Sequence, residues 1–561
     1  MALSNDRSDV QRKLTQINRE AEERDAKRRA DSTGSQYIDL GMAPLEIGAL
    51  ELLEEKEAKA ARVAIFEKRH RELAIAAYNP ADPETQKVFK KLEAREYKLD
   101  IFVVSLRGLN NVWKYYEFIV PKGKGSITGK VEIDQTRLEF LRQKLETLES
   151  AHDEIASFLK NSPVTSQIVE ILLAAAITLR SSDIHLEPEA TRVKFRIRID
   201  GLLHDVFEGL NLEEYFFLIS RIKLLSSMKL NVHDIPQDGR FTIGLGGKKE
   251  IEIRTSILPS EYGETAVLRI LDPETIGLKL ESLGFRSDDL VVITKELGRP
   301  NGMILNTGPT GSGKTTTLYA FLIHVNKPEV KIITIEDPIE YRLSGIEQTQ
   351  VNLNSGYNFA SGLRSIVRQD PDVVLVGEIR DLETAEVAMS SSLTGHLVFS
   401  TLHTNDSFGA IPRLVELGVR PDIIGPSLNL IIAQRLVRRL CDNCKAAYEP
   451  DAAVKRKIEN FVDRLPQRVD KKPYLKTTLY KAVGCNKCGK IGYRDRVGIF
   501  ELFIMDDEMK ELIHKEVSEV TIKEAVAHQG IVTLQEDGIL KVINGSTTFD
   551  EVVRISGPLE W

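Results

Sequence analysis

Gly308-Pro309-Thr310-Gly311-Ser312-Gly313-Lys314-Thr315 has the spacing of a phosphate-binding loop, a glycine, four residues, then Gly-Lys-Thr. Glycines let successive backbone N–H groups turn inward around phosphate oxygens, and a helix starting there adds its positive dipole end. Lys314 can reach the β- and γ-phosphates, and the Thr315 hydroxyl can hold Mg²⁺. The flanks suit this chemistry. Residues 303–307 form a short apolar run that reads as a buried strand, and 316–325, opening on Thr316, read as the helix that follows. A Gly-rich turn with no ligand is the competing reading; it leaves the coincidence of strand, loop, Lys-Thr and helix unexplained. The segment from Gly308 to Thr316 is therefore expected to bind ATP with Mg²⁺.

Three further strands end in polar clusters. The run 331–335 leads to Glu336-Asp337-Pro338-Ile339-Glu340, 373–376 to Gly377-Glu378, and 397–400 to Thr401-Leu402-His403-Thr404. In an open parallel sheet, ligands bind outside the carboxyl ends of the strands, so these clusters should converge on the nucleotide. Glu378 is expected to be the catalytic carboxylate, polarising a water in line with the γ-phosphate. Its alternative is an ion pair with Arg380. Glu336, Asp337 and Glu340 offer the oxygen ligands that Mg²⁺ prefers, directly or through its waters. His396 and His403 flank one strand and are expected to sense the γ-phosphate; a purely structural histidine is the alternative for each.

The 4 cysteines fall as Cys441-Asp442-Asn443-Cys444 and Cys485-Asn486-Lys487-Cys488. Two C-x-x-C pairs separated by a loop predict a tetrathiolate zinc site, with no open position and hence a structural role. The intervening loop, roughly forty residues, is longer than in common zinc ribbons. Two disulfides and free thiols are the alternatives, and a cytoplasmic chain disfavours the first.

These groups need elements to hold them. With 561 residues the chain has room for three or four domains, and 42% hydrophobic residues allow large cores. The formal net charge of -7 argues against wholesale nucleic-acid binding. The N-terminus is polar and charged, and no run of about eighteen apolar residues occurs, so a cytoplasmic protein without direct membrane insertion is expected. Residues 1–150 are expected to be an accessory or docking extension. In it, 45–78 and 138–159 have helical composition, and 101–106 and 116–120 read as strands. Residues 151–285 read as an α+β domain, with a helix at 165–180 and an alternating strand at 192–201. Residues 286–561 alternate strands and helices, which implies an α/β domain with a mainly parallel sheet. That part includes the cysteine subdomain at about 436–500 and a helical, charged end.

Together these residues resemble the secretion ATPases of type II secretion and type IV pilus assembly. The likeness covers roughly 160–505. It takes in Ser182-Asp183-Ile184-His185-Leu186-Glu187-Pro188, Pro236-Gln237-Asp238-Gly239-Arg240-Phe241, the phosphate loop and the box from Glu336 to Glu340. It continues through Arg368-Gln369-Asp370-Pro371-Asp372, Val376-Gly377-Glu378-Ile379-Arg380-Asp381, Thr394 to Asp406, Gln434-Arg435-Leu436 and the cysteines. The resemblance implies a RecA-like P-loop domain preceded by a smaller α+β, PAS-like domain and a helical N-terminal extension. It implies a ring of six copies and a nucleotide reached by arginines of both domains, here Arg254, Arg269, Arg364 and Arg368. Arginine forks two N–H groups onto charged oxygens, which suits that task, although salt bridges compete for each. The implied function is a cytoplasmic motor, peripherally recruited to an inner-membrane platform protein, that drives a pilus or a secretion pseudopilus. The chain departs from the family at Asp495, where glycine is common. A RecA-like nucleic-acid translocase and a non-catalytic nucleotide-binding scaffold remain alternatives.

Overall fold

The structure, a computed structural model, describes residues 21–40, 43, 45–118, 129–133, 135–160, 165–245, 250–272, 279–475, 478–515 and 518–560. The chain divides into two compact units, one made of residues 1–145, 149–199 and 203–270, the other of 146–148, 200–202 and 271–561.

In the first unit the described residues open on a helix over 21–33. Strands β1 (Gln36–Tyr37), β2 (Val63–Arg69), β3 (Glu72–Ala77) and β4 (Lys98–Val103) form a sheet in the order β1-β4-β3-β2. The stretch 45–78 is thus not wholly helical. Two short helices (Ile47–Leu50 and Glu55–Ala61) give way to an antiparallel hairpin, because the apolar runs of β2 and β3 are too short for a helix and bury as paired strands. The expected strand at 116–120 is also corrected. Lys114–Phe118 is a 3-10 turn that buries Tyr115 and Tyr116, and 119–120 lie outside the described residues.

Strands β5 (Lys130–Glu132), β6 (Asp183–Pro188), β7 (Val193–Ile199), β8 (Leu202–Leu210), β9 (Gln237–Gly244), β10 (Glu250–Ser260) and β11 (Gly263–Leu271) make a second sheet, ordered β5-β9-β10-β11-β6-β7-β8. Strand β7 alternates buried and half-buried residues along its length, as its sequence pattern requires. Helix Leu212–Leu225 carries a capping box formed by Asn211 and Glu214. That helix and the turn after it share a core with the first sheet. Leu224 and Leu230 pack among Leu40, Val63, Trp113 and Tyr115. The Tyr115 hydroxyl donates to the Leu230 carbonyl at 3.0 Å, and the Asn231 amide to the Leu40 carbonyl at 2.9 Å.

The second unit is built on strands β12 (Gly302–Thr307), β13 (Ile332–Glu336), β14 (Glu347–Gln350), β15 (Val373–Val376), β16 (Leu397–Leu402) and β17 (Leu428–Leu440). A ribbon of β18 (Ala446–Tyr448) and β19 (Leu479–Lys481) intervenes before β20 (Tyr493–Ile504). The sheet order is β14-β13-β15-β16-β12-β17-β20, with every pairing parallel except that of β20 with β17. Strands β12, β13, β15 and β16 are buried at every residue, as strands covered on both faces must be. Their side chains alternate between two cores. Met303, Ile333, Val374 and Val398 enter one; Ile304, Ile332, Leu375 and Phe399 enter the other.

The C-terminal helices Leu534–Ile543 and Phe549–Ser556 brace the antiparallel pair. Buried Asp537 accepts from the Phe500 N–H at 2.8 Å and from Arg286 at 3.1 Å. Glu551 accepts from the Arg438 N–H and guanidinium at 3.1 and 2.7 Å. Asp495 takes the left-handed conformation (φ +66°) that glycine adopts without strain, so this turn survives the substitution. No helix among the described residues is long and apolar enough to cross a membrane. Replacing Leu230 by alanine is expected to lower the stability of the first unit by about 2–5 kcal/mol through the cavity it leaves. Denaturant unfolding followed by tryptophan fluorescence reads this, since Trp113 lies in the same core. An unshifted transition contradicts the shared core.

Candidate active site

The register of the parallel sheet brings four strand ends to one edge. Thr307 pairs with Leu402, Val376 with Ser400 and Ile335 with Val376, so the segments after β12, β13, β15 and β16 emerge side by side. Helix Lys314–Val325 begins at Gly313, whose φ is +88°. A Cβ on Gly313 would stand 2.8 Å from Gln434 Nε2, and one on Gly308 (φ +150°) would stand 2.5 Å from the Gln434 carbonyl. Only glycine lets the loop lie this close to β17.

Gln434 has no assigned role in the sequence reading, yet it fixes the loop. Its Oε1 accepts from Asn306 Nδ2 and from the Thr317 hydroxyl, each at 2.8 Å, and the residue is 2% exposed. The signal was an amide closing the apolar run Leu430-Ile431-Ile432-Ala433-Gln434. A buried polar side chain there needs partners.

Lys314 is buried and donates to the carbonyls of Gly308 and Pro309 at 2.7 and 3.1 Å. Burial lowers its ammonium to about 8; Glu378 opposes that shift and Arg435 adds to it. The Ser312 hydroxyl is buried in the same loop without a hydrogen-bond partner among the described residues. Thr315 is exposed at the start of the helix. An anionic group with several oxygens suits a free hydroxyl, a helix N-terminus and an ammonium in one place.

Glu378 follows β15 and pairs with Arg380 through one oxygen and with His403 Nε2, at 3.3 Å, through the other. The ion pair with Arg380 is therefore formed, and His403 lies against the carboxylate's other oxygen. The loop after β16 is tied to the strand before the phosphate loop, since the Thr404 N–H donates to the Thr307 hydroxyl at 3.0 Å. Glu336 is 3% exposed, and both its oxygens are taken. It accepts from the Tyr319 hydroxyl, from Thr334 at 2.6 Å and from Gln348 at 3.1 Å. Asp337 is exposed and Glu340 half-buried beside it.

His396 is not brought to this edge. It precedes β16, where its carbonyl accepts from the N–H of Gly302 at the start of β12, and its Nδ1 lies 3.0 Å from the Ser391 carbonyl. A strand of six residues separates it from His403, about 20 Å of extended chain. The expectation that both histidines serve one phosphate in this chain is corrected for His396. Arg368 ends helix Phe359–Val367 and donates to the Arg364 carbonyl and the Ser365 hydroxyl. Arg364 pairs with Glu383 at 2.7 Å. In the first unit Arg254 pairs with Glu252 at 3.4 Å and Arg269 with Asp183 at 3.0 Å.

The four cysteine sulfurs form a second centre. All four lie within 4.8 Å of one another, with Cys441–Cys485 at 3.9 Å and Cys444–Cys488 and Cys485–Cys488 at 3.8 Å. No pair is bonded as a disulfide. Four sulfurs about 2.3 Å from a central ion stand about 3.8 Å apart in a tetrahedron, so the cluster fits zinc. The N–H groups of Gly484, Cys485 and Gly492 and the Asn443 amide point at the sulfurs at 3.2–3.3 Å, as thiolates require. The cluster closes the far end of the β17–β20 pair, where Leu440 lies opposite Tyr493.

A family model described as "Type II/IV secretion system protein" matches residues 159–554. The chain belongs to this family. It is 46% identical over 390 residues to the type II secretion system protein E of Pseudomonas aeruginosa, covering 70% of this chain and 75% of that protein. It is 38% identical over 462 residues to the type IV pilus assembly ATPase PilB of Myxococcus xanthus, covering 82% and 79%. The solved ATPase DotB of Legionella pneumophila superposes with a TM-score of 0.50 over 70% of this chain and 95% of its own, at 21% identity, a likeness of fold.

The buried lysine gives this family member a testable pH dependence. Phosphate oxygens bind the charged form, so nucleotide affinity should be flat near neutral pH and fall as pH rises through about 8. Calorimetry of ADP binding at a pH of about 8.5, in buffers of different ionisation heat, should show proton uptake. No uptake contradicts the lowered lysine.

Proposed function

We propose that this chain is a motor that hydrolyses Mg-ATP at Gly308 to Thr315 and uses the cycle to extend a pilus or a secretion pseudopilus. It works in the cytoplasm as a ring of six copies on an inner-membrane platform protein. Family membership supports the ATP hydrolase activity. The observation that carries the reading is the meeting of Glu378 and His403 at the sheet edge from which the phosphate loop also rises.

The residues divide the chemistry as follows. Loop N–H groups and the helix start hold phosphate oxygens. Lys314 exchanges the Gly308 and Pro309 carbonyls for phosphate, and gains charge–charge stabilisation in a water-poor site. The Thr315 hydroxyl, with Asp337 or Glu340 near the end of β13, would hold Mg²⁺, which neutralises charge on the phosphates. Glu378 orients and polarises the attacking water, and His403 sets the direction of its carboxylate. Arg254, Arg269, Arg364 and Arg368 are held in this proposal as phosphate contacts within a ring, each leaving its present acid or carbonyl partner. The cysteines hold one structural zinc.

Glu378→Gln should keep nucleotide binding and lose about a hundredfold or more in turnover. Lys314→Ala should lose both. Phosphate release and binding of a fluorescent ADP separate the two, and turnover of Glu378→Gln within about twofold of the parent rejects the assignment. Metal analysis should find one zinc per chain, and Cys441→Ser should lose it together with protease resistance between the cysteine pairs. Zinc-free, fully protease-resistant protein would reject that centre.

A further inference from the structure

Glu501 lies in the C-terminal half of β20 and is 3% exposed, with no lysine or arginine paired to it among the described residues. A buried carboxylate without a counter-charge is costly, so its position calls for a reason. Its hydrogen bonds supply one. One oxygen accepts from the Ser407 N–H at 2.9 Å and from the Ser407 hydroxyl. The other faces the N–H of Leu534, the first residue of helix Leu534–Ile543, at 3.3 Å.

Ser407 closes the segment that begins with His403. Several ties hold that segment, three of them through Thr404, Asn405 and Ser407. Thr404 is tied to Thr307, immediately before the phosphate loop. The Asn405 carbonyl accepts from Arg435 at 2.8 Å. Ser407, itself fully buried, is tied to Glu501. The first two ties come from strands β12 and β17 beside the loop; the third reaches, through Glu501, the helix that starts at Leu534.

We propose that Glu501 is a positioning residue for hydrolysis, acting through Ser407 to fix the backbone of 403–407 so that His403 stays against Glu378, and coupling that segment to the helix starting at Leu534. It does not touch the nucleotide. Binding through Lys314 and the loop glycines should therefore survive its loss, while the chemical step should not. This inference rests on the role given to Glu378 under Proposed function.

The test is a double-mutant cycle on the full-length protein with Glu501→Gln and Ser407→Ala, reading kcat, KM for ATP and the Kd of a fluorescent ADP. Glu501→Gln should lower kcat about tenfold or more and Ser407→Ala about threefold to tenfold, with Kd within about twofold. The double variant should be no worse than Glu501→Gln, because both act through one contact. Adding His403→Ala should cost less in the Glu501→Gln background than in the parent. Additive losses, unchanged kcat in both single variants, or equal falls in kcat and affinity would overturn the proposal. Should Glu501→Gln not fold, Ser407→Ala alone decides, through its split between kcat and Kd. A parent protein that releases no phosphate would instead overturn the proposed function, and this inference with it.

Discussion

Gln434 stands where β17, β12 and the helix after the phosphate loop meet, and its side-chain oxygen accepts from Asn306 and Thr317 at once. Three buried polar side chains are linked there, and removing a partner from one of these bonds would cost about 1–3 kcal/mol. The consequence is geometric. The loop is drawn so close to β17 that Gly308 and Gly313 have no room for a side chain. The glycine spacing of the phosphate loop is thus imposed partly by the strand behind it, as well as by the phosphate in front. The C-terminal helices enter the same chain of constraint, since Glu551 and Asp537 hold β17 and β20 in place.

The electrostatics of the edge follow from this rigidity. A lysine held in a buried loop gives up solvation, and a phosphate restores what water supplied. Glu378 faces two partners, Arg380 and His403, rather than one. The arginine is mostly exposed, whereas the histidine belongs to a segment tied down at Thr404 and Ser407. That difference suits a carboxylate that must keep its aim while its surroundings change through a cycle.

Much of the site was legible in the sequence because it is a matter of order along the chain. The loop spacing, the acidic strand ends and the paired cysteines need only local reading and the rule that parallel strands present their carboxyl ends together. What escaped depends on three-dimensional neighbours. His396 and His403 look equivalent flanking one strand, but a strand has two ends, and only one carries the loop. Gln434 and Glu501 are single polar residues in apolar strands, and no local pattern says which distant groups they satisfy. The hairpin of β2 and β3 was hidden by alanines and charges that read equally as helix, and it buries in a core that Leu224 and Leu230 join from far along the chain.

The most direct measurement is calorimetric titration of a non-hydrolysable Mg-ATP analogue into the parent protein and into Gln434→Ala. The account predicts saturable binding to the parent and an affinity at least about tenfold weaker in the variant, with the fold of the second unit retained. Equal affinity in the two proteins, or no binding by well-folded parent protein, would contradict it.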